Sequence, residues 1–215
     1  MKNRSIFLLW CGASLAAAII IAACIRWVDY PISAMFLGNF QPGSPTGNIL
    51  SGINIVTVQI VVIVVLGIAN LWKGGLPKWA NTLMVACTAS VLAYTLNDTI
   101  LKTVFGRPNP STFYQFHPAK FNLFHGDEYC SFPSGHMMLA TAFLAVVFVA
   151  YSRTWIAIAP LVLLGCVVLV RGEWHYASDV IAGTFLGFTF GLVIADLWAK
   201  KMPRLLQPDG RARPG

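Results

Sequence analysis

Apolar runs of membrane-crossing length, broken by short polar stretches, fill most of the chain. A membrane helix needs about 20 mostly apolar residues to cross the hydrocarbon core. Six segments meet or approach that test: Ile6–Ile25, Ile53–Trp72, Trp79–Leu101, Ser134–Ser152, Thr154–Val170 and Asp179–Ala199. The fifth is the shortest and contains Pro160; neighbouring helices can re-satisfy the backbone group that a proline frees. The sixth carries Gly183, Gly187 and Gly191. Their four-residue spacing puts them on one face, where another helix can approach closely. The pattern predicts an all-α, polytopic membrane bundle of six transmembrane helices. It forms a single domain over residues 1–203, followed by a basic tail, 204–215, expected to be disordered.

Composition agrees with the pattern. Of 215 residues, 57% are hydrophobic and 11% charged, against roughly 25% charged in soluble domains. With six spans both termini share a side. That side holds Lys2, Arg4, Lys73, Lys78, Arg153, Lys200, Lys201, Arg204, Arg211 and Arg213; the other holds Arg26, Lys102, Arg107, Lys120 and Arg171. Ten against five predicts cytoplasmic termini, since basic residues accumulate on the inner side. The net charge of +7 is thereby explained without a nucleic-acid partner. The basic start and Ile21-Ala22-Ala23-Cys24 resemble a processed leader, but the apolar run is long enough to span and is expected to stay.

Between the spans, the Pro-, Gly- and aromatic-rich segment Arg26–Leu50 is expected to form an outer loop with a short interfacial helix. Thr103–Pro133 is the largest polar stretch and is also outside. Trp27, Trp72, Trp79, Trp155 and Trp198 lie near span ends, as an aromatic belt requires. Of the five cysteines, Cys11, Cys24, Cys87 and Cys166 lie in apolar runs and Cys130 in a polar segment. No disulfide framework and no metal spacing follows; Cys130 is expected to be exposed.

The chemistry gathers at one face. His117, His125, His136 and His175 all fall outside the spans or at their outer ends. Ionisable groups at membrane depth are costly, so such a cluster calls for a reason. Helices three to six bring Lys102, Arg107, Ser134, His136, Arg171, His175 and Asp179 to that face. Ser134 is a natural N-cap, and Gly135 lets a ligand approach the backbone. A helix N-terminus with free N–H groups is an anion site. His175 and Asp179, four apart, share a helix face, so Asp179 can accept the ring N–H and make the other nitrogen a better nucleophile. Lys102, Arg107, Arg171 and the Ser134–Gly135 amides can neutralise the equatorial oxygens of a phosphoryl group. His175 would attack phosphorus, and His136 would protonate the leaving oxygen. This chemistry needs no metal and no other cofactor. Asp98, four before Lys102, is expected to pair with it; His117, Lys120, His125, Asp127 and Glu128 are expected in a solvated loop.

Lys102-Thr-Val-Phe-Gly-Arg107-Pro108, then Pro133-Ser134-Gly135-His136, then Arg171 followed by His175-Tyr-Ala-Ser-Asp179 resembles the type 2 phosphatidic acid phosphatase family. The motifs cover residues 102–179, and the topology extends the likeness over nearly the whole chain. The resemblance implies metal-independent hydrolysis of a phosphomonoester or diphosphate. It implies His175 as nucleophile, Asp179 as its partner, His136 as acid, and Lys102, Arg107, Ser134, Gly135 and Arg171 as phosphate ligands. It also implies a bacterial inner-membrane enzyme whose site faces the periplasm. The usual first motif places Arg-Pro where this chain has Asn109-Pro110, and the usual third places arginine where it has Leu169. Arg107 and Arg171 are expected to reach the phosphate from shifted positions.

The phosphorylated lipid is open among undecaprenyl diphosphate, phosphatidylglycerol phosphate, phosphatidic acid and lipid A, as is the oligomeric state. Two other functions compete: a zinc hydrolase built from His136, His175 and Asp179, and a non-catalytic lipid-binding or transport protein.

Overall fold

The computed structural model describes residues 2–38, 51–126 and 130–201. The expected tail at 204–215, and Asp127 and Glu128, lie outside the described residues. Among the described residues the chain is helical and contains no strand; Pro108 and Cys130 form an isolated antiparallel bridge.

The helices are α1 (Lys2–Ala23), α2 (Asp29–Ala34), α3 (Gly52–Lys73), α4 (Lys78–Leu96), α5 (Lys102–Phe105), α6 (Pro110–Phe116), α7 (Gly135–Ala150), α8 (Trp155–Arg171) and α9 (Ala177–Lys201). Two π-helical turns, Cys24–Val28 and Asn97–Leu101, join α1 to α2 and α4 to α5 without a break. The first helix therefore runs to Ala34, beyond the expected boundary at Ile25. Asp29, inside the segment expected to be a loop, is buried and paired there. Residues 39–50 of the expected outer loop lie outside the described residues.

Among the described residues five helices are long and apolar enough to cross a membrane: Phe7–Ala34, Gly52–Lys73, Lys78–Phe105, Ser152–Arg171 and Ala177–Lys200. The fourth predicted span becomes α7, of 16 residues. At 1.5 Å per residue it is about 24 Å long, short of a hydrocarbon core of about 30 Å. Its position explains its length. It packs against α4, α8 and α9, and Met137, Met138, Leu139, Ala142, Ala145 and Val146 are buried. A helix enclosed by others need not match the lipid on its own.

Small residues let these helices approach. Val85, Ala86 and Ala89 of α4 meet Val146 of α7 and Ala195 of α9; Ala93 meets Met138 and Ala142 nearer the site. Ser90 Oγ donates to Leu139 O at 2.8 Å, joining α4 to α7. The glycine stripe of α9 lies against α7: a Cβ on Gly187 would sit 2.4 Å from Met138 O, and one on Gly191 2.3 Å from Ala142 O. The expected close approach is present. The opposite faces are apolar and open. No residue of α8 is buried, and Phe7, Leu9, Ile53, Val61, Leu161 and Leu163 are exposed. Apolar surface this extensive fits lipid rather than water. Trp27, Trp72, Trp79 and Trp155 are exposed near span ends, the positions an aromatic belt occupies.

The five cysteines, all among the described residues, form no disulfide. Cys130, expected to be exposed, is buried; its backbone pairs with that of Pro108 across the polar segment.

Candidate active site

Four helix ends meet at one end of the bundle. The π turn before α5 carries Asn97 inward, where its Nδ2 donates to Pro133 O at 3.1 Å. Ser134 N donates to Asp179 O at 3.0 Å, tying the start of α7 to the first turn of α9. Ser134 is the N-cap of α7, its side chain accepting from Met137 N at 3.4 Å. Gly135 has a packing reason that the sequence did not reveal: a Cβ there would lie 3.2 Å from Asn97 Nδ2 and 3.3 Å from the Tyr94 ring.

The two histidines expected to act together are neighbours. The ring centroids of His136 and His175 lie 5.9 Å apart, and His136 stacks edge-on to Trp174 at 5.2 Å. His175 is 5% exposed. Its Nδ1 lies 3.7 Å from Asp179 Oδ2. That is an ion-pair separation rather than a hydrogen bond, and Nδ1 makes no hydrogen bond within the protein. Asp179 is held from other directions: Oδ2 accepts from Tyr176 N at 2.8 Å and Oδ1 from Arg107 Nη1 at 2.7 Å.

The cations divide into two kinds. Lys102 is partly exposed and its Nζ pairs with Asp98 at 2.8 Å, the expected i,i+4 partner. Arg171 ends α8 and is exposed. Arg107, expected among the phosphate ligands, is 0% exposed. Besides Asp179, its Nη1 donates to Ser178 Oγ at 2.6 Å and its Nη2 to Asp29 Oδ2 at 2.8 Å. Its guanidinium lies 3.9 Å from the Tyr176 ring centroid and 5.2 Å from that of Phe121. Its two Nη groups are thus committed to Asp29, Ser178 and Asp179, while Nε has no partner among the described residues. Burial would lower its pKa, but Asp179 and Asp29 outweigh that and hold it above the ordinary arginine value.

Asp29 was missed because it lay in an expected loop, far in sequence from every motif. Its burial (1% exposed) and its bonds to Ser178 and Arg107 bring it behind the site. Glu173, also unmarked by the sequence, is buried just before His175 with φ +58°. His117 and His125 are exposed, as expected. Lys120 is exposed too, with its Nζ 4.3 Å from the Tyr30 ring centroid.

The donor set does not suit zinc. The carboxylate of Asp179 already accepts from Arg107 and Tyr176 N, and a guanidinium beside it would repel a cation. Among the described residues no group of three or more His, Cys, Asp or Glu side chains is placed to hold a metal.

The site is thus a pair of histidines at one end of a helical bundle, one beside a carboxylate and the other in the first turn of a capped helix. The family model of the PAP2 superfamily matches residues 81–203, more than half of the chain, and the chain belongs to that family. It is 37% identical over 114 residues to a lipid A 1-phosphatase of Rhizobium etli, covering 52% of this chain and 49% of that protein. It is 34% identical over 139 residues to a lipid A 1-phosphatase of Rhizobium johnstonii, covering 61% and 57%. The chain thus spans about half the length of the curated relatives it matches. No solved structure matches it.

Proposed function

We propose that the protein is a metal-independent membrane phosphatase that removes phosphate from a lipid through a phosphohistidine. The observation that carries this reading is the pair of rings 5.9 Å apart, with Asp179 behind His175. A carboxylate near Nδ1 favours the tautomer that leaves Nε2 bare. Nε2 of His175 bonds to phosphorus while the bond from phosphorus to the ester oxygen breaks. His136 gives the leaving oxygen its proton. Water, losing a proton to His136, then attacks phosphorus; the phosphorus–nitrogen bond breaks and inorganic phosphate leaves. The ring of His175 gains positive charge in the first step. The 3.7 Å contact with Asp179 would shorten then, as such contacts commonly do once substrate is bound. Lys102, Arg171 and the first amides of α7 neutralise the phosphoryl oxygens.

The substrate is a phosphorylated membrane lipid. Lipid A is the first candidate because both relatives are named for it; undecaprenyl diphosphate, phosphatidylglycerol phosphate and phosphatidic acid remain in the panel. The proposed setting is a bacterial inner membrane, with α7 completing six spans, both termini cytoplasmic and the site facing outward. The excess of basic residues on the opposite side supports this orientation.

The test is phosphate release by purified protein from each lipid in detergent, with wild type beside His175→Ala. The expected result is release by wild type from at least one lipid, loss in His175→Ala, and an alkali-stable, acid-labile phosphoenzyme. Equal background release from both proteins on every lipid refutes the proposal.

A further inference from the structure

Behind the catalytic pair, Asp179 belongs to a buried cluster of charge whose other members the proposed reaction does not itself use. Asp29, Arg107, Ser178 and Asp179 are each at most 1% exposed. The cluster contains two carboxylates and one guanidinium, joined by the pairs Arg107–Asp29 and Arg107–Asp179. Buried charge is costly unless matched. Here one negative charge is left over, and the next polar group in line is the His175 ring, 3.7 Å from Asp179. Ser178 is the junction. Its N and Oγ donate to Asp29 Oδ1 and Oδ2 at 2.9 and 2.6 Å, so Asp29 also fixes the first turn of α9, from which Asp179 projects.

We infer that Asp29, on the N-terminal helix, is a positioning residue for His175: it engages Arg107 so that the charge of Asp179 is left to the imidazole. Without Asp29, the whole charge of Arg107 would turn to Asp179 and nothing would remain to stabilise the cation that forms when Nε2 bonds to phosphorus. The N-terminal helix lies outside the family match, which begins at residue 81, yet it supplies this charge. The inference rests on the phosphatase reading, and its test separates the two.

Asp29→Asn in the full chain keeps the shape and removes the charge. Outer hydrogen-bond partners of metal-bound histidines are typically worth about 10–100-fold; on that scale kcat should fall about tenfold with KM changed by less than about twofold. The second readout needs no turnover. With 15N-labelled histidine, the wild-type His175 ring should be held in the Nδ1–H tautomer, and Asp29→Asn should give a mixture. Should Asp29→Asn fail to fold, Ser178→Ala removes only the junction and should lower kcat about threefold or more at constant KM. Wild-type kcat together with an unchanged tautomer, in whichever variant folds, overturns the inference and leaves the phosphatase standing. Equal background release by wild type and His175→Ala removes the phosphatase, and the tautomer then decides the role of Asp29 alone.

Discussion

Gly183 is where packing and chemistry meet most directly. A Cβ at this position would lie 2.4 Å from Ser134 O, 3.1 Å from Ser134 Cβ and 3.2 Å from Met137 Cβ. Ordinary contact begins at 3.4 Å, so Gly183→Ala requires the start of α7 to move about 1 Å away from α9. The obstructing atom is backbone, so no side-chain rotation relieves it. Overpacking of this kind costs about 1–3 kcal/mol, a fall in Tm of roughly 3–10 °C for a chain of this size. The displacement also strains the bond from Ser134 N to Asp179 O and shifts His136 relative to His175. A misplacement of about 1 Å can cost around a hundredfold in rate, equivalent to about 2.7 kcal/mol. Gly67→Ala is the control, because a Cβ on Gly67 would meet nothing within 4 Å; it should be neutral or slightly stabilising. The assays are thermal unfolding in detergent and phosphate release on the preferred lipid. Gly183→Ala matching Gly67→Ala in both would refute the claim that this seam sets the site.

Further expectations concern the charges and the metal question. Arg107→Met should strip two buried carboxylates of their partner and destabilise the protein by about 3–5 kcal/mol, seen as loss of the folded fraction on size exclusion. Arg171→Met, at an exposed position, should fold normally and raise KM, as steady-state kinetics would show. Asp98→Asn should change stability by less than about 1 kcal/mol, because the pair is exposed, while freeing Lys102 and lowering KM. Chelator should leave the rate unchanged; loss with EDTA and rescue by zinc would support the zinc hydrolase instead.

The helical pattern was legible because lipid imposes it: a run of apolar residues has few alternatives to a helix. The glycine stripe and the Ser134 cap were legible for similar local reasons. What the pattern overran was α7, whose sequence reads as a span but whose 16 residues are enclosed by other helices; hydropathy does not distinguish lipid from protein surroundings. The end of the first helix was misplaced for the opposite reason. Arg26 and Asp29 look like a loop when their partners are unknown, and Asp29 meets its partners at residues 107 and 178.

The same blindness explains Arg107. Motif spacing places a cation beside a phosphate site but does not say which way it faces. That is decided by where the compensating carboxylates lie. Asn109, in the slot where the usual motif has arginine, accepts from Thr112 N at 2.8 Å and caps α6. The position is thus committed to starting a helix. Arg107 is committed to Asp29 and Asp179 by burial, since exposing the guanidinium would leave two carboxylates unpaired in a dry interior. On the proposed function, phosphate recognition would fall to Lys102 and Arg171, which keep exposed surface, and to the start of α7. A pocket with fewer rigid cations would lean more on the helix amides and on the His175–Asp179 pair, which is where the buried charge of Asp29 has its leverage.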